Sequence, residues 1–592
     1  MLETPEIVKS ASTLEAIGKD LRWISPASGP RPLLRAALAH SVVSLLAGKR
    51  SVLMVGASGS GKTMLAHSLC QAVWPSAETG QLRLLSGADC PLIVETNAAR
   101  FVEQCWYADH LENKMGLVMS AARSREAVLF IDETDTCLGT GGSSTNPEGN
   151  VATLLTPHIG NGVRVLGATT PQGLARMRAR NPRFLERFEL VDVPEPDNAE
   201  TESILASELR FLAQHSGVSV SPDAAVACMA LARRYVQGNT LVSAVLRLAR
   251  GASHIHGAVN PGTLRRAVAA TVGLRDSIVG AAPCPTHEEL VAQLSSRVYG
   301  QDVAVSEVAD TILAFAGGLS PAGRPIGAFL LVGPSGTGKT SLAIAAAETL
   351  TGDSSRLIRL DMSEFGDPFA ARRLLDDDAS SLVGQLASMT AGVVLLDEIE
   401  KAHVSAIRVM LAAIGEARLT SESGRTVRLD NYLVLFTSNL GSSRWNGTEP
   451  IERIRQKVMT DCAEFFPPEF RSRLTQTLLY SPLNPACARR IVERDLDSIN
   501  WLAGLADRGL HVLWSADLPG EIARLGVSHQ QGARGLERVI RTVVVSPLAR
   551  WLAAHPEARD GVVMLQPHTV VGEIQSVVIE YCPERSPLAM AN

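Results

Sequence analysis

A phosphate-binding loop occurs twice in this chain of 592 residues, and each copy requires a strand before it and a helix after it. Both copies fit the pattern G-x-x-x-x-G-K-[ST], and each lies between an aliphatic run and a stretch rich in Ala and Leu. Glycines let the loop turn its N–H groups inward, where they can hold phosphate oxygens at the positive end of the helix. The predicted nucleotide-binding residues are Gly56, Ala57, Ser58, Gly59, Ser60, Gly61, Lys62 and Thr63 in the first copy, and Gly333, Pro334, Ser335, Gly336, Thr337, Gly338, Lys339 and Thr340 in the second.

The last two residues of each loop predict the nature of the ligand. Lys62 and Lys339 would neutralise the terminal phosphates of a nucleoside triphosphate. The hydroxyl groups of Thr63 and Thr340 would bind magnesium. Because both loops keep both residues, the chain is predicted to bind two nucleotides, each with Mg²⁺.

Each loop is followed along the chain by an apolar run that ends in Asp-Glu, namely 128–133 and 393–398. Such runs are typical of buried strands in a parallel sheet, whose carboxyl ends lie beside the phosphate loop. Asp132 and Asp397 would hold magnesium through water, and Glu133 and Glu398 would polarise the attacking water. The alternative is that these carboxylates merely end a strand.

A third strand with a polar end follows in each copy, over 163–170 and 432–439. Its terminal side chains would reach the γ-phosphate or the water. The order of strand, loop, helix, Asp-Glu strand and polar strand predicts an α/β fold in which each copy is a doubly wound parallel sheet.

Composition excludes several classes of protein. A hydrophobic fraction of 46% supports several folded cores. A net charge of −5 and a pI near 6.3 give no overall reason to expect a nucleic-acid or membrane partner, although a local basic stripe stays possible. The nine cysteines form no C-x-x-C pair, which favours small buried side chains in a reducing compartment. Without a leader or a long apolar run, the chain is predicted to be soluble and cytoplasmic.

The motifs together resemble the two ATPase modules of the Clp family of AAA+ ring-forming unfoldases and disaggregases. The resemblance covers about residues 30–570. In the first module it rests on Leu138-Gly-Thr-Gly141, Asn150, Gly167-Ala-Thr-Thr170 and Leu185-Glu-Arg-Phe188. In the second it rests on Arg324-Pro-Ile-Gly327, Asp361-Met-Ser-Glu-Phe365, Leu396-Asp-Glu-Ile-Glu-Lys-Ala-His403, Arg418-Leu-Thr420, Gly424-Arg-Thr426, Thr437-Ser-Asn-Leu-Gly441, Pro468-Glu-Phe470 and Gly532-Ala-Arg534.

The resemblance implies ATP as the nucleotide and gives roles to five further residues. Arg187 and Arg473 would be arginine fingers that reach the nucleotide of a neighbouring subunit. Thr170 and Asn439 would be sensors at the ends of the adjacent strands, and Arg534 would be a sensor in the second lid. Fingers that act between subunits imply a homo-oligomeric ring, a hexamer in this family. Each arginine could instead be a surface cation.

Domain boundaries follow from the same comparison of motifs. Each large domain is expected to be followed by a small helical lid, with a Pro- and Gly-containing linker between the two modules. The expected segments are an N-terminal tail (1–30), the first large domain (31–193), its lid (194–276), a linker (277–297), the second large domain (298–482), its lid (483–570) and a C-terminal tail (571–592).

Three departures from the family narrow the expected activity. The short stretch before the first loop leaves no room for an N-terminal substrate domain, and 194–278 contains no heptad run for a coiled coil. The interval 442–466 lacks the Ile-Gly-Leu or Ile-Gly-Phe tripeptide that docks on a Clp peptidase. Stand-alone disaggregation and coupling to a Clp peptidase are therefore not expected.

Pore residues are a further departure. Trp106 or Tyr107 would grip a threaded peptide in the first module, unless both are ordinary core aromatics. In the second module the corresponding loop, 380–385, has no aromatic residue, which leaves Leu382 and Val383 as the apolar candidates for grip.

The leading interpretation is an ATP-hydrolysing ring that remodels proteins, with a protein substrate and a separate adaptor. One alternative is an ATPase dedicated to disassembling a single complex, such as a secretion sheath. Another is a nucleotide-gated scaffold that does not thread its partner. A nucleic-acid remodeller is the least supported, because no basic cluster with interleaved aromatics occurs.

Overall fold

The computed structural model describes residues 13–21, 35–69, 73–75, 82–84, 91–103, 105, 108–140, 150–236, 240–321, 323–445, 450–526, 533–570 and 573–583. The chain divides into two compact units, residues 1–267 and 268–592. Within the described residues, no helix is both long and apolar enough to span a bilayer.

The first unit is built on a sheet of six strands whose order is β1-β5-β6-β7-β2-β8. All neighbouring pairs are parallel except β1 with β5. A short hairpin, β3 and β4, and a two-stranded sheet, β9 and β10, complete its strands. The strands are β1 (Lys19–Asp20), β2 (Ser51–Val55), β3 (Val73–Pro75), β4 (Leu82–Leu84), β5 (Ile93–Thr96), β6 (Val128–Ile131), β7 (Arg164–Thr169), β8 (Phe188–Asp192), β9 (Ser219–Val220) and β10 (Ala258–Val259).

Helices cover both faces of this sheet. In β6, Val128 and Phe130 belong to one buried cluster, while Leu129 and Ile131 belong to another on the opposite face. This alternation is the packing expected of a doubly wound sheet. The α-helices of the first unit are Ala36–Ala47, Lys62–Ser68, Ala98–Val102, Ala108–Ser124, Val151–Leu155, Pro171–Arg180, Pro182–Leu185, Asn198–His215, Ala224–Tyr235 and Leu241–His256, and Pro261–Val272 crosses into the second unit.

The second unit repeats the architecture with a fully parallel sheet of order β12-β13-β16-β11-β17. The sheet order matches that of β5, β6, β7, β2 and β8 in the first unit. The predicted fold class, two doubly wound modules, is thereby confirmed. The strands are β11 (Gly327–Val332), β12 (Leu357–Asp361), β13 (Gly392–Asp397), β14 (Arg418–Thr420), β15 (Thr426–Arg428), β16 (Tyr432–Ser438) and β17 (Gln476–Leu479).

Several helices of the second unit begin at a residue whose side chain caps them. Asn484, for example, accepts a hydrogen bond from the N–H of Cys487, and Pro485 occupies the first helical turn. The α-helices are His287–Ser295, Asp302–Ala316, Lys339–Thr351, Ala370–Leu375, Leu382–Ser388, Val404–Glu416, Ile451–Phe465, Pro468–Arg473, Pro485–Ile499, Ala503–Ala506, Leu518–Gly526, Arg534–Ile540 and Ser546–Ala554.

A three-stranded sheet packs with the last helices and contains β18 (His511–Trp514), β19 (Val562–Val570) and β20 (Glu573–Cys582). Strand β20 lies in the segment expected to be a C-terminal tail, so that expectation is wrong for 573–582. The reason is the antiparallel pairing of β20 with β19, which buries Ile574 and Val577 in the core of the second lid. The second lid is therefore helical with a small sheet.

Candidate nucleotide sites

The first phosphate loop joins β2 to the helix Lys62–Ser68. Gly59 and Gly61 adopt positive φ angles of 85° and 93°, which non-glycine side chains rarely tolerate. The Lys62 ammonium donates to the carbonyl oxygens of Gly56 and Ala57, each at 2.8 Å. Burial lowers the pKa of Lys62, although the charge of Asp132 opposes that shift. The loop thus holds a buried positive charge close to where phosphate would bind.

Acidic side chains lie beside this loop, as the sequence predicts. The hydroxyl of Thr63 donates to Oδ2 of Asp132 at 2.6 Å. Glu133 follows with a left-handed backbone, φ 49°, and an exposed side chain. A non-glycine residue in this conformation carries strain that is common at functional sites. Glu133 is free to approach a water molecule beside a bound phosphate.

The second loop has a more deeply engaged lysine. The Lys339 ammonium donates to the carbonyl oxygens of Gly333 (2.7 Å) and Pro334 (2.9 Å) and to Oδ1 of Asn439 (3.1 Å). Burial lowers the pKa of Lys339 to about 8, and Arg534 adds to that shift while nearby carboxylates oppose it. The ammonium is therefore close to losing its proton at neutral to mildly alkaline pH.

This pKa predicts pH-dependent nucleotide binding at the second site. Phosphates favour the protonated amine, so above pH 8 binding must draw a proton onto Lys339. In a Lys62→Ala chain, where only the second site binds, the affinity is expected to fall by about tenfold per pH unit above pH 8. Calorimetry in buffers of different ionisation enthalpy should show proton uptake at pH 9 and almost none at pH 6.5. An affinity that stays constant between pH 8 and 9.5 would contradict the assignment.

Glu398 belongs to a hydrogen-bonded network. Its Oε1 accepts from the Asn439 amide at 3.2 Å, and its Oε2 accepts from Lys401. The backbone N–H of Asn439 donates to Oε1 of Glu400 at 3.0 Å. Asn439 therefore links Lys339 with Glu398, which are the predicted phosphate ligand and the predicted base. Glu400 and Lys401 lie two and three residues after Glu398 in the motif Leu396–His403, to which the sequence assigned no individual roles beyond Asp397 and Glu398.

The residues predicted to be sensors, Thr170 and Asn439, differ between the modules. Thr170 and Asn439 occupy equivalent positions in the two modules. Each directly follows the residue that pairs with the last residue of the strand before the phosphate loop. Thr170 caps the helix Pro171–Arg180 by accepting from the N–H of Gly173 at 3.0 Å. Asp135, two residues after Glu133, accepts from Thr169 at 2.7 Å and pairs with Arg176. Both sensors line the cavity of their own module.

Each lid contacts the phosphate loop of its own module at the same glycine. The hydroxyl of Thr240 donates to the carbonyl of Gly59 at 3.1 Å, and the N–H of Ala533 donates to the carbonyl of Gly336 at 2.9 Å. Arg534 follows Ala533 and lines the second cavity, which has a volume of about 260 Å³. In the first cavity, of about 330 Å³, the lid residues are Val242, Ser243 and Leu246. Among the described residues of the first lid, no arginine lines this cavity.

Beside the first loop lies a separate, largely apolar cavity of about 120 Å³. Sequence reasoning missed it, because its walls come from distant parts of the first unit. A flat apolar base could pack here while the phosphates occupy the loop. The lining side chains include Met64, Leu65, Pro196, Ile204, Val242 and Leu246.

The donor atoms also fit magnesium. Thr63 and Asp132 offer one hydroxyl and one carboxylate, the hard oxygen ligands that Mg²⁺ prefers alongside phosphates and water. Among the described residues, no group of three or more His, Cys, Asp or Glu side chains could form a dedicated metal cage. In the second module Asp397 instead accepts from Thr437 and from Arg359.

The predicted arginine fingers lie apart from the cavities of their own modules. Arg187 is exposed, directly before β8. Arg473 is exposed at the end of its helix and donates to the carbonyl of Leu411 at 2.5 Å. Neither side chain is among the described residues that line the two nucleotide cavities.

The candidates for grip in the second module are corrected by the structure. Leu382 and Val383 are fully buried, because Ser381 caps a helix that begins at Leu382 and turns both side chains into the core. They cannot hold a peptide. Trp106 and Tyr107, the candidates in the first module, lie outside the described residues.

Burial of Leu382 predicts an effect on stability. Leu382→Ala is expected to lower the free energy of unfolding by about 2–5 kcal/mol, the range for truncating a fully buried leucine. Chemical denaturation measures this loss, with Leu319→Ala, which truncates an exposed leucine, as the comparison. A loss below about 1 kcal/mol would mean that the side chain is not in the core.

Family models match three parts of the chain. Residues 52–191 match the ATPase family associated with various cellular activities (AAA), 324–477 match an AAA domain (Cdc48 subfamily), and 483–564 match the C-terminal, D2-small domain of ClpB protein. Fold, sites and family models together define a tandem AAA+ ATPase, an enzyme that binds nucleotide and hydrolyses ATP.

Similar proteins identify a family within the AAA+ ATPases. A ClpA homolog protein of Fuscovulum blasticum is 27% identical over 97% of this chain and 74% of its own length. ClpC/MecB of Bacillus subtilis is 26% identical over 91% of this chain and 76% of its own. ClpB of Nitratidesulfovibrio vulgaris is 37% identical over 45% of this chain and 32% of its own. The chain belongs to the Clp family of tandem AAA+ ATPases, whose activity is ATP-driven protein remodelling.

Solved structures agree in fold. Hsp104 with ATPγS and FITC casein matches with a TM-score of 0.77 at 25% identity, covering 96% of this chain and 99% of that chain. The complex of S. cerevisiae Hsp104 with ADP matches with a TM-score of 0.72 at 25% identity, covering 96% and 100%. Both structural matches therefore include both modules of this chain.

Proposed function

We propose that this chain works as a homo-oligomeric ring, six subunits in the active form, that hydrolyses ATP in both modules to pull on a protein or take a protein assembly apart. The observation that carries this proposal is the network in which Asn439 joins Lys339 to Glu398. Lys339 and Glu398, our proposed phosphate ligand and base, each lie within hydrogen-bond reach of the proposed sensor Asn439, which supports reading and attack of a γ-phosphate in one place.

The roles of the site residues follow from this geometry. Lys62 and Lys339 neutralise the terminal phosphates, while Glu133 and Glu398 orient and deprotonate the attacking water. Thr63 with Asp132, and Thr340 with Asp397, hold Mg²⁺. When bound, Mg²⁺ supplies positive charge against the β- and γ-phosphate oxygens. The apolar cavity beside Met64 takes the base in the first module, and Arg534 reports the nucleotide to the second lid.

Ring formation is proposed from the arginines. Arg187 and Arg473 are exposed and lie outside their own cavities, so each serves the nucleotide of the next subunit. An arginine that acts this way makes a single subunit catalytically incomplete. A hexamer is the assembly that we propose by likeness to the Clp family.

We propose a protein substrate, since a solved relative is Hsp104 in complex with casein. We propose that a separate adaptor recruits this substrate. A Clp peptidase, nucleic acid and membranes are not expected as partners, and the cytoplasm is the expected location. Trp106 and Tyr107 are the proposed grip on the peptide.

A nucleotide-gated scaffold is the second candidate, and one observation favours it. The burial of Leu382 and Val383 removes the apolar candidates for grip from the second module. A ring of this kind would change shape with nucleotide without threading. Disassembly of one dedicated complex, such as a secretion sheath, is compatible with either form of the ring.

A substrate trap distinguishes these candidates. Glu133→Gln combined with Glu398→Gln should bind ATP, assemble and hold its protein partner, which crosslinking and mass spectrometry after recovery from the native cell would identify. Partner polypeptide crosslinked within the ring to Trp106 or Tyr107 supports threading. Partner crosslinked only to the outer surface would contradict threading and support the scaffold.

A further inference from the structure

The carboxylate at the end of the Asp-Glu strand has different partners in the two modules. In the first, Asp132 accepts from the Thr63 hydroxyl at 2.6 Å. In the second, one oxygen of Asp397 accepts from Thr437, and the other accepts from Nη2 of Arg359 at 2.7 Å. Among the described residues, no hydrogen bond joins Thr340 to Asp397. The second aspartate is thus engaged by a guanidinium, whereas its counterpart accepts from the threonine of the phosphate loop.

Sheet register explains the difference. Arg359 on β12 pairs with Leu395 on β13, two residues before Asp397. At the same position of the first module, Glu95 on β5 pairs with Phe130 on β6, two residues before Asp132. Glu95 bonds to His67 at 3.1 Å. The two modules therefore carry opposite charges at one structural position, and only the second can form an ion pair with its aspartate.

We infer that Arg359 is a positioning residue that competes with Mg²⁺ for Asp397 in the second site. The inference rests on the proposed role of Asp397 as a magnesium ligand. A guanidinium stays charged at all relevant pH values and matches the geometry of a carboxylate. Because the guanidinium already binds one oxygen of Asp397, its positive charge opposes the approach of Mg²⁺ or its bound water to that oxygen.

Release of Arg359 is inexpensive. Its side chain is 54% exposed, whereas that of Asp397 is 16% exposed, so the arginine can turn into solvent while the aspartate stays in place. Exposed ion pairs contribute little to stability. The competition is therefore reversible, and it raises the Mg²⁺ concentration that the second site needs for half-maximal occupancy.

Nucleotide binding tests this inference without measuring turnover. The full-length chain carries Lys62→Ala, which silences the first site, and Glu398→Gln, which stops hydrolysis at the second. Binding of a fluorescent ATP analogue is followed by anisotropy as Mg²⁺ is titrated, and again in excess chelator. Arg359→Gln is expected to lower the Mg²⁺ concentration at half-maximal binding by about three- to fivefold, the loss of a weak ion pair. Binding in chelator should not strengthen.

Two comparison variants make the result specific. Arg372→Gln removes one exposed charge from the same module, where Arg372 pairs with Glu422 at 3.4 Å, and should leave the Mg²⁺ requirement unchanged. Arg359→Lys keeps the charge but loses the guanidinium fork, so a decrease of about twofold is expected. If Arg359→Gln does not fold, this lysine variant carries the test, and no decrease there contradicts the inference.

An unchanged or higher Mg²⁺ requirement in Arg359→Gln overturns the inference. Equal weakening with and without Mg²⁺ also overturns it, because it would identify Arg359 as a phosphate ligand. Asp397→Asn separates this failure from that of the proposed site. If Asp397→Asn leaves the Mg²⁺ requirement unchanged, the magnesium role of Asp397 is wrong. If Asp397→Asn raises it while Arg359→Gln does not lower it, only the competition is wrong.

Discussion

Replacing both predicted bases, Glu133→Gln with Glu398→Gln, is expected to lower ATP turnover by at least about 100-fold while nucleotide still binds. Glutamine keeps the shape of each side chain but cannot accept a proton from the attacking water. The phosphate ligands Lys62 and Lys339 are untouched, so affinity for ATP should remain within about threefold of the parent chain. Steady-state phosphate release and equilibrium binding measure the two quantities.

A matched control uses two exposed glutamates outside both sites. Glu112→Gln combined with Glu422→Gln makes the same chemical change on exposed surfaces and should leave turnover unchanged. Each single base variant should retain the turnover of the other module. Unchanged turnover in the double base variant would mean that neither Glu133 nor Glu398 activates water.

Arg473→Ala is expected to lower turnover in the second module by about 10³, the lower end of the range for losing an arginine finger. The reason is that Arg473 is exposed and lies outside its own cavity, so that its guanidinium can stabilise transferring charge only in a neighbouring site. The first module is silenced by Glu133→Gln, and phosphate release is measured in the assembled protein.

Arg471→Ala is the matched control, since Arg471 is also exposed and lies two residues earlier in the same helix. It should keep nearly all of the turnover. If Arg471→Ala and Arg473→Ala lose the same amount, the effect is one of surface charge. If neither loses activity, Arg473 is not a finger.

The nucleotide loops and the Asp-Glu strands could be predicted because each is a local pattern. Lys62 and Gly56 lie six residues apart, and their contact follows from one tight loop. Thr63 and Asp132 are distant in sequence, but the carboxyl ends of parallel strands meet at one edge of the sheet. Their proximity therefore follows from fold class alone.

Other contacts depend on tertiary arrangement. The pairing of Arg359 with Asp397 requires the register of β12 on β13, and the contact of Thr240 with Gly59 requires the lid to dock on the loop. The prediction that Leu382 grips a peptide is wrong because its segment resembles a short polar loop, whereas Ser381 caps a helix there. The sequence of β20 resembles a tail because its pairing with β19, which places it in the sheet of the second lid, leaves no local sequence pattern.

The claim that two subunits build each active site is tested most directly by mixing two inactive proteins. Both carry Glu133→Gln, one adds Glu398→Gln and the other adds Arg473→Ala, so each alone should be nearly inactive. In a 1:1 mixture, some sites combine an intact Glu398 with an intact Arg473 from the neighbour, and about a quarter of the second-module turnover should return. No recovery in mixed assemblies, shown to contain both proteins, would contradict an active site shared between subunits.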